Sequence, residues 1–550
     1  MTSERKRLLI VGGVAGGASC AARARRLSET AEIIMFERGQ YVSFANCGLP
    51  YYVGDVITDE QKLIVANADL FKHRFNIDVR LENEVLDIDQ EAATIQVKNN
   101  KTGAIYQESY DALVLAPGAA SIRPQLPGID LPGIFAVRTI PDSRRIREWI
   151  EQKQVKRAVV VGGGFIGLEM TENLLHRGIA VTLLQNQSQV MAPLDPEMAA
   201  PIHDRLEAHG VKLRLGDGVV GFESNPDGTI NAIAESGEIH TTDLVILAIG
   251  VRPETTLAKA AGLEIGSRGG IRVNEQMQTS DRRIWAVGDA VEVQDFVTKE
   301  WTFIPLAGPA NRQGRIAANA IFGRNTTFRG VQGTSVCGLL GLAIASTGAN
   351  EKTLKRLGWS YDKVYLHPGH HVGYYPNAKP INMKLLFSPV DGKILGAQAV
   401  GEDGVEKRID VISMAIQLGA TVYDLEEAEL CYAPQFGAAK DPVNVAGMIA
   451  ANDLNQDAPL AHWEYLAKLD GLLLDVRGVN EFAAGHVEGA INIPLPELRQ
   501  RMSELPAEKE IWVYCQVGQR GYYATRALRL NGFNAYNLSG GFKTYQASKN

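Results

Sequence analysis

Cysteine is scarce in this chain of 550 residues, which contains only Cys20, Cys47, Cys337, Cys431 and Cys515. Five scattered cysteines are too few for a disulfide framework, and none are spaced as a Cys-x-x-Cys pair, so no metal site is predicted. We therefore expect free thiols in a reducing compartment.

Long apolar runs and long basic runs are also missing. The apolar stretch 8–11 is too short for the core of a signal peptide or for a membrane span. The net charge is −7 and no long lysine or arginine block occurs, which argues against nucleic-acid binding. The sequence predicts a soluble cytoplasmic protein without membrane or nucleic-acid partners, so the basic cluster 23–26 needs another explanation.

Two segments, 8–37 and 158–185, share one pattern: an apolar strand, a glycine-rich turn, a helix, and a second strand that ends near a polar residue. Such a duplication predicts two dinucleotide sites, one for a flavin and one for a nicotinamide. Later apolar strands end near Gly118, Gly250 and Asp289.

The first glycine turn, from Gly12 to Gly17, reads GGVAGG, and Val14 stands where the dinucleotide fingerprint has its second glycine. Glu37 follows at the end of the next strand, where a carboxylate can accept hydrogen bonds from ribose hydroxyls. We expect FAD here, and the alternative is a tight turn without a ligand.

The second turn has the full G-x-G-x-x-G spacing, in Gly162, Gly164, Phe165, Ile166 and Gly167. Its second strand ends at Gln185. A glutamate at that position would favour NADH and a basic residue would favour NADPH. Gln185 therefore argues weakly for NADH.

Cys47 lies in the segment SFANCGLP, just after the first ribose-binding strand. A thiol at the predicted helix N-terminus would have a lowered pKa and act as a thiolate. The alternative is an apolar packing cysteine, and packing is the preferred interpretation for Cys20, Cys337 and Cys431.

The motifs SFANCGLP, GGVAGG, GGGFIG, WAVGDA and PLAGPANRQGR together resemble those of the coenzyme A disulfide reductases over residues 1 to about 450. These are flavoproteins with a single redox cysteine, and a rhodanese-fused branch includes NADH-dependent persulfide reductases. Dithiol relatives have a second cysteine five residues upstream, where this chain has Val42. The resemblance implies that Cys47 forms a mixed disulfide with coenzyme A.

The resemblance also implies roles for other residues. Arg23 and Arg26 would meet the phosphates of coenzyme A, and Ser43 and Asn46 its pantetheine arm, although a solvated helix face remains the alternative for the arginines. Further cofactor contacts are predicted for Arg38, Val85, Gly118, Gly250, Asp289 and Ala307.

No His-Glu dyad of the kind used by dithiol reductases is found. By resemblance, Tyr374 and Tyr432 take its place and reach Cys47 from the other subunit of a homodimer. A phenol can protonate or hydrogen-bond a leaving thiolate. Both tyrosines lie in aromatic or proline-flanked segments, so packing is the alternative for each.

Cys515 leaves a predicted strand and enters a short loop before a helix, where backbone amides and the helix dipole stabilise a thiolate or a persulfide anion. The segment resembles a rhodanese loop, whose remaining residues are Gln516, Val517, Gly518, Gln519 and Arg520. The span from cysteine to arginine is one residue shorter than in the related phosphatases, which suits a sulfur atom better than a phosphate.

These observations predict an α/β chain with two Rossmann-like domains, an α+β dimerisation domain and a C-terminal rhodanese domain. The predicted boundaries are 1–152 and 281–329 for FAD, 153–280 for NAD, 330–452 for dimerisation and 460–550 for rhodanese, with a polar linker from Asn452 to Pro459.

The predicted function is NADH-dependent, FAD-mediated reduction of coenzyme A persulfide, polysulfide or coenzyme A disulfide at Cys47. Cys515 would carry sulfane sulfur, with release of hydrogen sulfide. One alternative is an NADH oxidase or peroxidase, although those relatives commonly have a histidine where this chain has Ala15. Another is a redox sensor with a non-catalytic rhodanese module.

Overall fold

The computed structural model describes residues 6–549, which form two compact units. The first unit comprises residues up to 188 together with 210–333, and the second comprises 189–209 together with 334 onward. In the described part of the chain no helix is both long and apolar enough to cross a membrane.

The first unit contains a five-stranded parallel sheet built around the apolar strand Arg7–Val11. Its order is Ile284–Ala286, Ala112–Leu115, Arg7–Val11, Glu32–Glu37 and Asp78–Leu81. The strands are apolar almost throughout because helices cover both faces of a parallel sheet. The strand after residue 281 returns to this sheet, which completes one Rossmann-like domain.

A second parallel sheet of five strands lies in the same unit. Its order is Lys212–Leu215, Ala180–Gln185, Arg157–Val161, Leu244–Leu247 and Ile134–Phe135. The last strand lies within residues 1–152, which the sequence assigns to the FAD domain. The sheet of the predicted NAD domain therefore includes residues before 153.

Short antiparallel and mixed sheets, together with helices, complete the first unit. The strands are Asn83–Asp89, Thr94–Asn99, Ile105–Ser109, Ala119–Ser121, Val219–Ser224, Ile230–Ala234, Ile239–Thr242, Val251–Pro253, Ile271–Arg272, Val291–Gln294 and Trp301–Thr302. The helices are Ala15–Arg25, Leu49–Val53, Ala68–Phe75, Ile140–Lys153, Phe165–His176, Thr256–Ala260 and Ala307–Ile321.

The second unit begins with a five-stranded antiparallel sheet in the order Ser335–Leu339, Leu342–Gly348, Ile394–Gly401, Ile381–Phe387 and Asp362–Leu366. The helix Val405–Leu418 packs against the strands Leu342–Gly348 and Ile394–Gly401. The predicted α+β domain is confirmed.

A small parallel sheet follows, in the order Leu460–Ala461, Ala535–Leu538, Glu510–Tyr514, Gly471–Asp475 and Ile491–Asn492. The other helices of this unit are Pro196–Ala208, Glu351–Leu357, Val422–Glu427, Pro442–Leu454, Val479–Ala483, Leu498–Arg501, Gln519–Leu530 and Gly541–Ala547. The predicted α/β class is confirmed.

The predicted linker from Asn452 to Pro459 is wrong at its start. The helix Pro442–Leu454 continues through Asn452, since Ala450 and Ala451 are buried against its neighbours. The buried carboxylate of Asp453 also accepts a hydrogen bond from the Leu460 amide at 2.8 Å. The segment between this helix and the strand Leu460–Ala461 is therefore shorter than predicted, and the hydrogen bond of Asp453 fixes its end.

Candidate active sites

The first glycine turn has the close backbone packing that a dinucleotide turn requires. Gly12 has a φ of +95°, and a Cβ there would overlap the carbonyl oxygen of Ala116. A Cβ on Gly17 would overlap the carbonyl of Gly12. Glu37 accepts a hydrogen bond from the Gly13 amide at 3.1 Å, so its carboxylate is fixed at the turn.

A cavity of about 500 Å³ opens in front of this turn. Many of the predicted FAD contacts line it, namely Gly12, Val14, Glu37, Arg38, Val85, Gly118 and Asp289. The helix Ala307–Ile321 contributes Ala310 to the lining, three residues beyond the predicted Ala307. Val14 is the N-cap of the helix Ala15–Arg25, and its side chain caps no backbone amide within residues 6–549.

Two polar groups in this cavity fit a large polar ligand. Burial raises the pKa of Asp289, whose carboxylate accepts a hydrogen bond from Arg138 at 3.4 Å. The Oδ1 atom of Asn46 is buried and has no partner among the described residues. Asn46 lines this cavity, whereas the sequence predicts a contact with pantetheine. A glycine turn, a ribose-type carboxylate and an unsatisfied amide are groups suited to FAD.

The second glycine turn repeats this geometry. Gly162 has a φ of +105°, and a Cβ on Gly167 would overlap the carbonyl of Gly162. No atom lies within 4 Å of a Cβ placed on Gly164, which leaves the backbone open to a pyrophosphate. Gln185 accepts a hydrogen bond from the Gly163 amide at 3.2 Å, as Glu37 does in the first turn.

The other residues predicted for the second turn lie at the start of the helix and at the end of the neighbouring strand. Phe165 and Ile166 begin the helix Phe165–His176. Gly250 follows the strand Leu244–Leu247, as Gly118 follows the corresponding strand of the first sheet. A glycine turn with a polar side chain bound to its second amide thus occurs twice. The second copy fits a nicotinamide dinucleotide.

Cys47 lies in the 3-10 turn Asn46–Gly48, directly before the helix Leu49–Val53. One side of the residue is exposed, yet the cleft around the thiol raises its pKa, mainly through burial and then through the negative charges of Glu169 and Asp289. Arg138 opposes this effect only in part. The predicted lowering of the Cys47 pKa by protein groups is therefore wrong, because a five-residue helix has a small dipole and acidic groups lie nearby.

Glu169 is half-buried in the first turn of the helix Phe165–His176. Burial, followed by the charge of Glu172, raises its pKa to about 7. Because Glu169 acts on Cys47 through its charge, proton uptake by Glu169 near neutral pH makes the thiolate of Cys47 easier to form.

The segment before Cys47 is attached to the first glycine turn. Val42, at the position of the second cysteine in dithiol relatives, is buried, and its side chain fills the space that a Cβ on Gly13 would need. Ser43 has a φ of +49°, and its amide donates to the carbonyl of Gly13 at 2.8 Å. An apolar contact thus takes the place of a second thiol.

The basic cluster 23–26 divides into two roles. Arg25 is buried and its guanidinium donates to five backbone carbonyls, so it is structural. Arg23 is half-buried and Arg26 is exposed. Burial, and then the positive charges of Arg315, Arg324 and Arg26, lower the pKa of Arg23.

These four residues, Arg23, Arg26, Arg315 and Arg324, form what we call the arginine patch. No sequence pattern predicts a role for Arg315 or Arg324. Arg315 lies in the quoted motif PLAGPANRQGR, but only the packing of the helix Ala307–Ile321 against the helix Ala15–Arg25 reveals its place. Glycines allow this close packing, since a Cβ on Gly314 would overlap the carbonyl of Gly16. Clustered guanidinium groups suit the phosphates of a nucleotide.

Tyr374 and Tyr432, in the second unit, lie together. Their hydroxyl oxygens are 2.7 Å apart, and this hydrogen bond raises the pKa of Tyr432. The side chains are 74% and 45% exposed, so they are available to another chain. Cys431 is also exposed, and the packing role predicted for it is wrong. Cys20 and Cys337 are buried as predicted.

Cys515 follows the strand Glu510–Tyr514 and is buried. In the described chain the amides of Gln516, Val517 and Gly518 donate no hydrogen bond, and the helix Gln519–Leu530 begins directly after them. The guanidinium of Arg520 lies near the sulfur of Cys515, whose negative charge in the thiolate form contributes to raising the pKa of Arg520. Free amides and a guanidinium beside one sulfur atom are suited to an anionic sulfur.

Two acidic residues hold the arginines of this loop. Glu481 accepts hydrogen bonds from both terminal nitrogens of Arg520, each at 2.7 Å. This contact raises the pKa of Arg520, and the charge of Cys515 raises it further. Buried Arg477 pairs with Asp475 at 2.7 Å and also donates to the Gln516 side chain at 3.2 Å. No sequence pattern singles out Glu481, Arg477 or Asp475.

Comparison with known protein families agrees with this architecture. The pyridine nucleotide-disulphide oxidoreductase family matches residues 6–314, and the dimerisation domain of that family matches residues 335–441. A rhodanese-like domain matches residues 459–548. The chain therefore belongs to the pyridine nucleotide-disulphide oxidoreductase family and carries a rhodanese-like domain after its dimerisation domain. This family uses FAD and NADH, as the two glycine turns predict.

Within this family, the chain is similar to coenzyme A disulfide reductases. The coenzyme A disulfide reductase of Staphylococcus epidermidis is 36% identical over 442 residues, which cover 80% of this chain and 99% of that protein. The crystal structure of reduced CoADR-RHD of Bacillus anthracis is 50% identical, with a TM-score of 0.97 and coverage of 99% of this chain and 98% of its own.

The NAD-dependent persulfide reductase from A. fulgidus is 35% identical, with a TM-score of 0.91 and coverage of 98% of this chain and 100% of its own. The resemblance to the coenzyme A disulfide reductases is thus confirmed along the chain.

Proposed function

We propose that this protein uses NADH and FAD to reduce sulfur–sulfur bonds at Cys47, and that its substrates are coenzyme A persulfide, polysulfide or coenzyme A disulfide. The observation that carries this proposal is the exposed thiol of Cys47, whose neighbour Asn46 lines the cavity of the first glycine turn, with Val42 in place of a second thiol. A thiol without a protein partner suits a mixed disulfide with a small molecule.

The reaction divides into exchange and reduction. The thiolate of Cys47 attacks the inner sulfur of coenzyme A persulfide, which forms the mixed disulfide and releases hydrosulfide. Two electrons and two protons then return the mixed disulfide to Cys47 thiol and free coenzyme A. Bound FAD supplies these electrons from NADH. Gln185 carries no charge to repel or to pair with a 2′-phosphate, so we expect a modest preference for NADH.

The arginine patch would hold the phosphates of coenzyme A, and Ser43 would contact the pantetheine arm. In a homodimer, the partner subunit's Tyr374 and the partner subunit's Tyr432 would donate a proton to the leaving thiolate. The exposed pair of hydroxyl groups supports this role, since a phenol that is hydrogen-bonded to another phenol stays protonated at neutral pH. We place the enzyme in the cytoplasm, where free thiols persist.

Cys515 would accept sulfane sulfur as a persulfide and deliver it for reduction, so that hydrogen sulfide is the final product. The free amides of Gln516, Val517 and Gly518 support this role, because they would stabilise a terminal sulfur anion.

The test measures NADH consumption and hydrogen sulfide release with each of the three acceptors, for the full chain and for Cys47→Ser and Cys515→Ser. We expect Cys47→Ser to bind FAD but to lose turnover with every acceptor. Cys515→Ser should lose transfer of sulfur from thiosulfate and keep reduction of coenzyme A disulfide. Disulfide reduction that survives Cys47→Ser would overturn the proposal. Turnover with oxygen or peroxide alone would favour an oxidase.

A further inference from the structure

The Cys515 loop is held from behind by the helix Gly541–Ala547. The amide of Phe542 donates to the carbonyl of Cys515 at 2.8 Å, and the amide of Lys543 donates to the carbonyl of Gln516 at 3.0 Å. Because each peptide unit is planar and trans, these two bonds turn the amides of Gln516 and Val517 away from that helix. The position of the helix therefore decides where the amides of the loop point.

The turn before this helix is tightly enclosed. A Cβ on Gly541 would overlap the carbonyl of Cys515, and a Cβ on Gly540 would lie 2.7 Å from the Cβ of Tyr365. Tyr365 belongs to the dimerisation domain, in the strand Asp362–Leu366, and its amide donates to the Ser539 hydroxyl at 2.9 Å. The rhodanese-like loop is thus backed by the dimerisation domain.

His367 connects the two domains through side-chain hydrogen bonds. Its Nδ1 lies 2.8 Å from Oδ1 of Asn382, and its Nε2 lies 2.9 Å from the hydroxyl of Thr544. This arrangement assigns the proton to Nδ1, so that Nε2 accepts from the Thr544 hydroxyl. Burial, and then the charge of Lys543, lower the pKa of His367 to about 4, so the ring is neutral near pH 7.

We propose that His367, a residue of the dimerisation domain, is a positioning residue of the Cys515 sulfur site. Through Thr544 it fixes the helix Gly541–Ala547, and that helix holds the carbonyls of Cys515 and Gln516. The loop amides then keep the orientation needed for a sulfur anion. This inference rests on the sulfur-carrying role proposed for Cys515, and it makes the sulfurtransferase site a product of two domains.

The test uses the full chain with FAD bound and compares His367→Ala, Thr544→Val and Thr544→Ser. Thr544→Val keeps the shape of the side chain but removes the hydroxyl, whereas Thr544→Ser keeps the hydroxyl. We expect His367→Ala and Thr544→Val to lower kcat for sulfur transfer from thiosulfate about tenfold, with little change in KM, as for the loss of one buried hydrogen bond.

Thr544→Ser should restore most of this rate. A second readout is the rate of Cys515 alkylation at a fixed pH, which should fall in His367→Ala and Thr544→Val. NADH-linked reduction of coenzyme A disulfide should stay unchanged in all three variants. His73→Ala, which removes an exposed histidine of the first unit, is the matched control.

The outcomes separate this inference from the proposed function. If Cys515→Ser keeps sulfur transfer, the role of Cys515 is wrong. If Cys515→Ser abolishes transfer but folded Thr544→Val keeps the wild-type rate and alkylation profile, only the role of His367 is wrong. An equal loss in folded Thr544→Ser and Thr544→Val would also overturn it, since the hydroxyl would then not matter.

Discussion

Cys47 and Cys515 both lie just before a helix, but the groups around them differ. Around Cys47, burial and the carboxylates of Glu169 and Asp289 raise the pKa of the thiol, and Arg138 compensates only in part. Around Cys515, in the described chain, the guanidinium of Arg520 and three free amides place positive charge and hydrogen-bond donors near the sulfur. Position before a helix therefore does not by itself determine the chemistry of a cysteine.

The different charges around Cys47 and Cys515 suit two kinds of sulfur chemistry. Acidic surroundings disfavour a free thiolate, so Cys47 is stabilised as a thiol or as an uncharged mixed disulfide. Cationic and amide donors favour a negative sulfur, so Cys515 is suited to a terminal persulfide anion. We therefore expect the protein to separate disulfide exchange and sulfane transfer between two local environments.

The largest expected effect follows from removing the charge beside Cys515. Arg520→Met should lower kcat for sulfur transfer roughly a hundredfold, because it removes a donor aimed at the developing anion. NADH-linked reduction of coenzyme A disulfide should not change. Steady-state assays of both reactions test this, with Arg529→Met on the same helix as the control. An equal loss of both activities would contradict the separation of the two sites.

The arginine patch tests substrate binding near Cys47. Arg315→Ala and Arg324→Ala should each raise KM for coenzyme A disulfide by about three- to tenfold at low salt, and less at high salt. Assays at two ionic strengths measure the effect. Arg214→Ala, which removes a surface arginine paired with Glu238, should leave KM unchanged. A KM insensitive to both patch substitutions would remove the patch from the coenzyme A site.

Glu169→Gln should make the thiolate of Cys47 easier to form. Because the charge of Glu169 raises the pKa of Cys47, its removal should move alkylation of reduced Cys47 to lower pH by up to about one unit. Burial keeps the pKa raised in part. Peptide mass spectrometry across a pH series measures the shift, and Glu151→Gln is the control. A shift in the other direction would show that Glu169 stabilises the thiolate.

The smallest expected effect concerns the connection to the Cys515 domain. Burial and the charge of Asp362 raise the pKa of Asp453 to about 7. A raised carboxyl pKa gives stability at low pH that is lost as pH rises from about 4 through about 7. Asp453→Asn should match the wild type near pH 4 and unfold a few degrees higher at pH 8.

Thermal unfolding at the two pH values checks this prediction, with the exposed Asp410→Asn as the control. Reduction of coenzyme A disulfide should remain unchanged, because Asp453 interacts with Leu460 and Asp362, which have no proposed role in that reaction. A constant difference between Asp453→Asn and the wild type at both pH values would show that Asp453 does not titrate in this range.

The sequence predicts well what depends on local pattern. The glycine turns, Gln185, the strands and the turn that carries Cys515 all follow from spacing and apolar periodicity. It fails where residues distant in the chain meet. Burial raises the pKa of Cys47, and Glu169 and Asp289, both distant in the chain, raise it further. Arg315 joins Arg23 only because two helices pack closely. No local pattern shows those contacts, nor does it show the bond between His367 and Thr544.

Peptide mass spectrometry of the full chain tests the central claim most directly. The protein is isolated in its oxidised form, one sample is treated with thiosulfate, and the modification on each cysteine is identified. We predict coenzyme A on the peptide of Cys47 alone and one additional sulfur atom on the peptide of Cys515 alone. Coenzyme A on Cys515, or sulfane sulfur retained on Cys47 but not on Cys515, would contradict the division of chemistry between the two thiols.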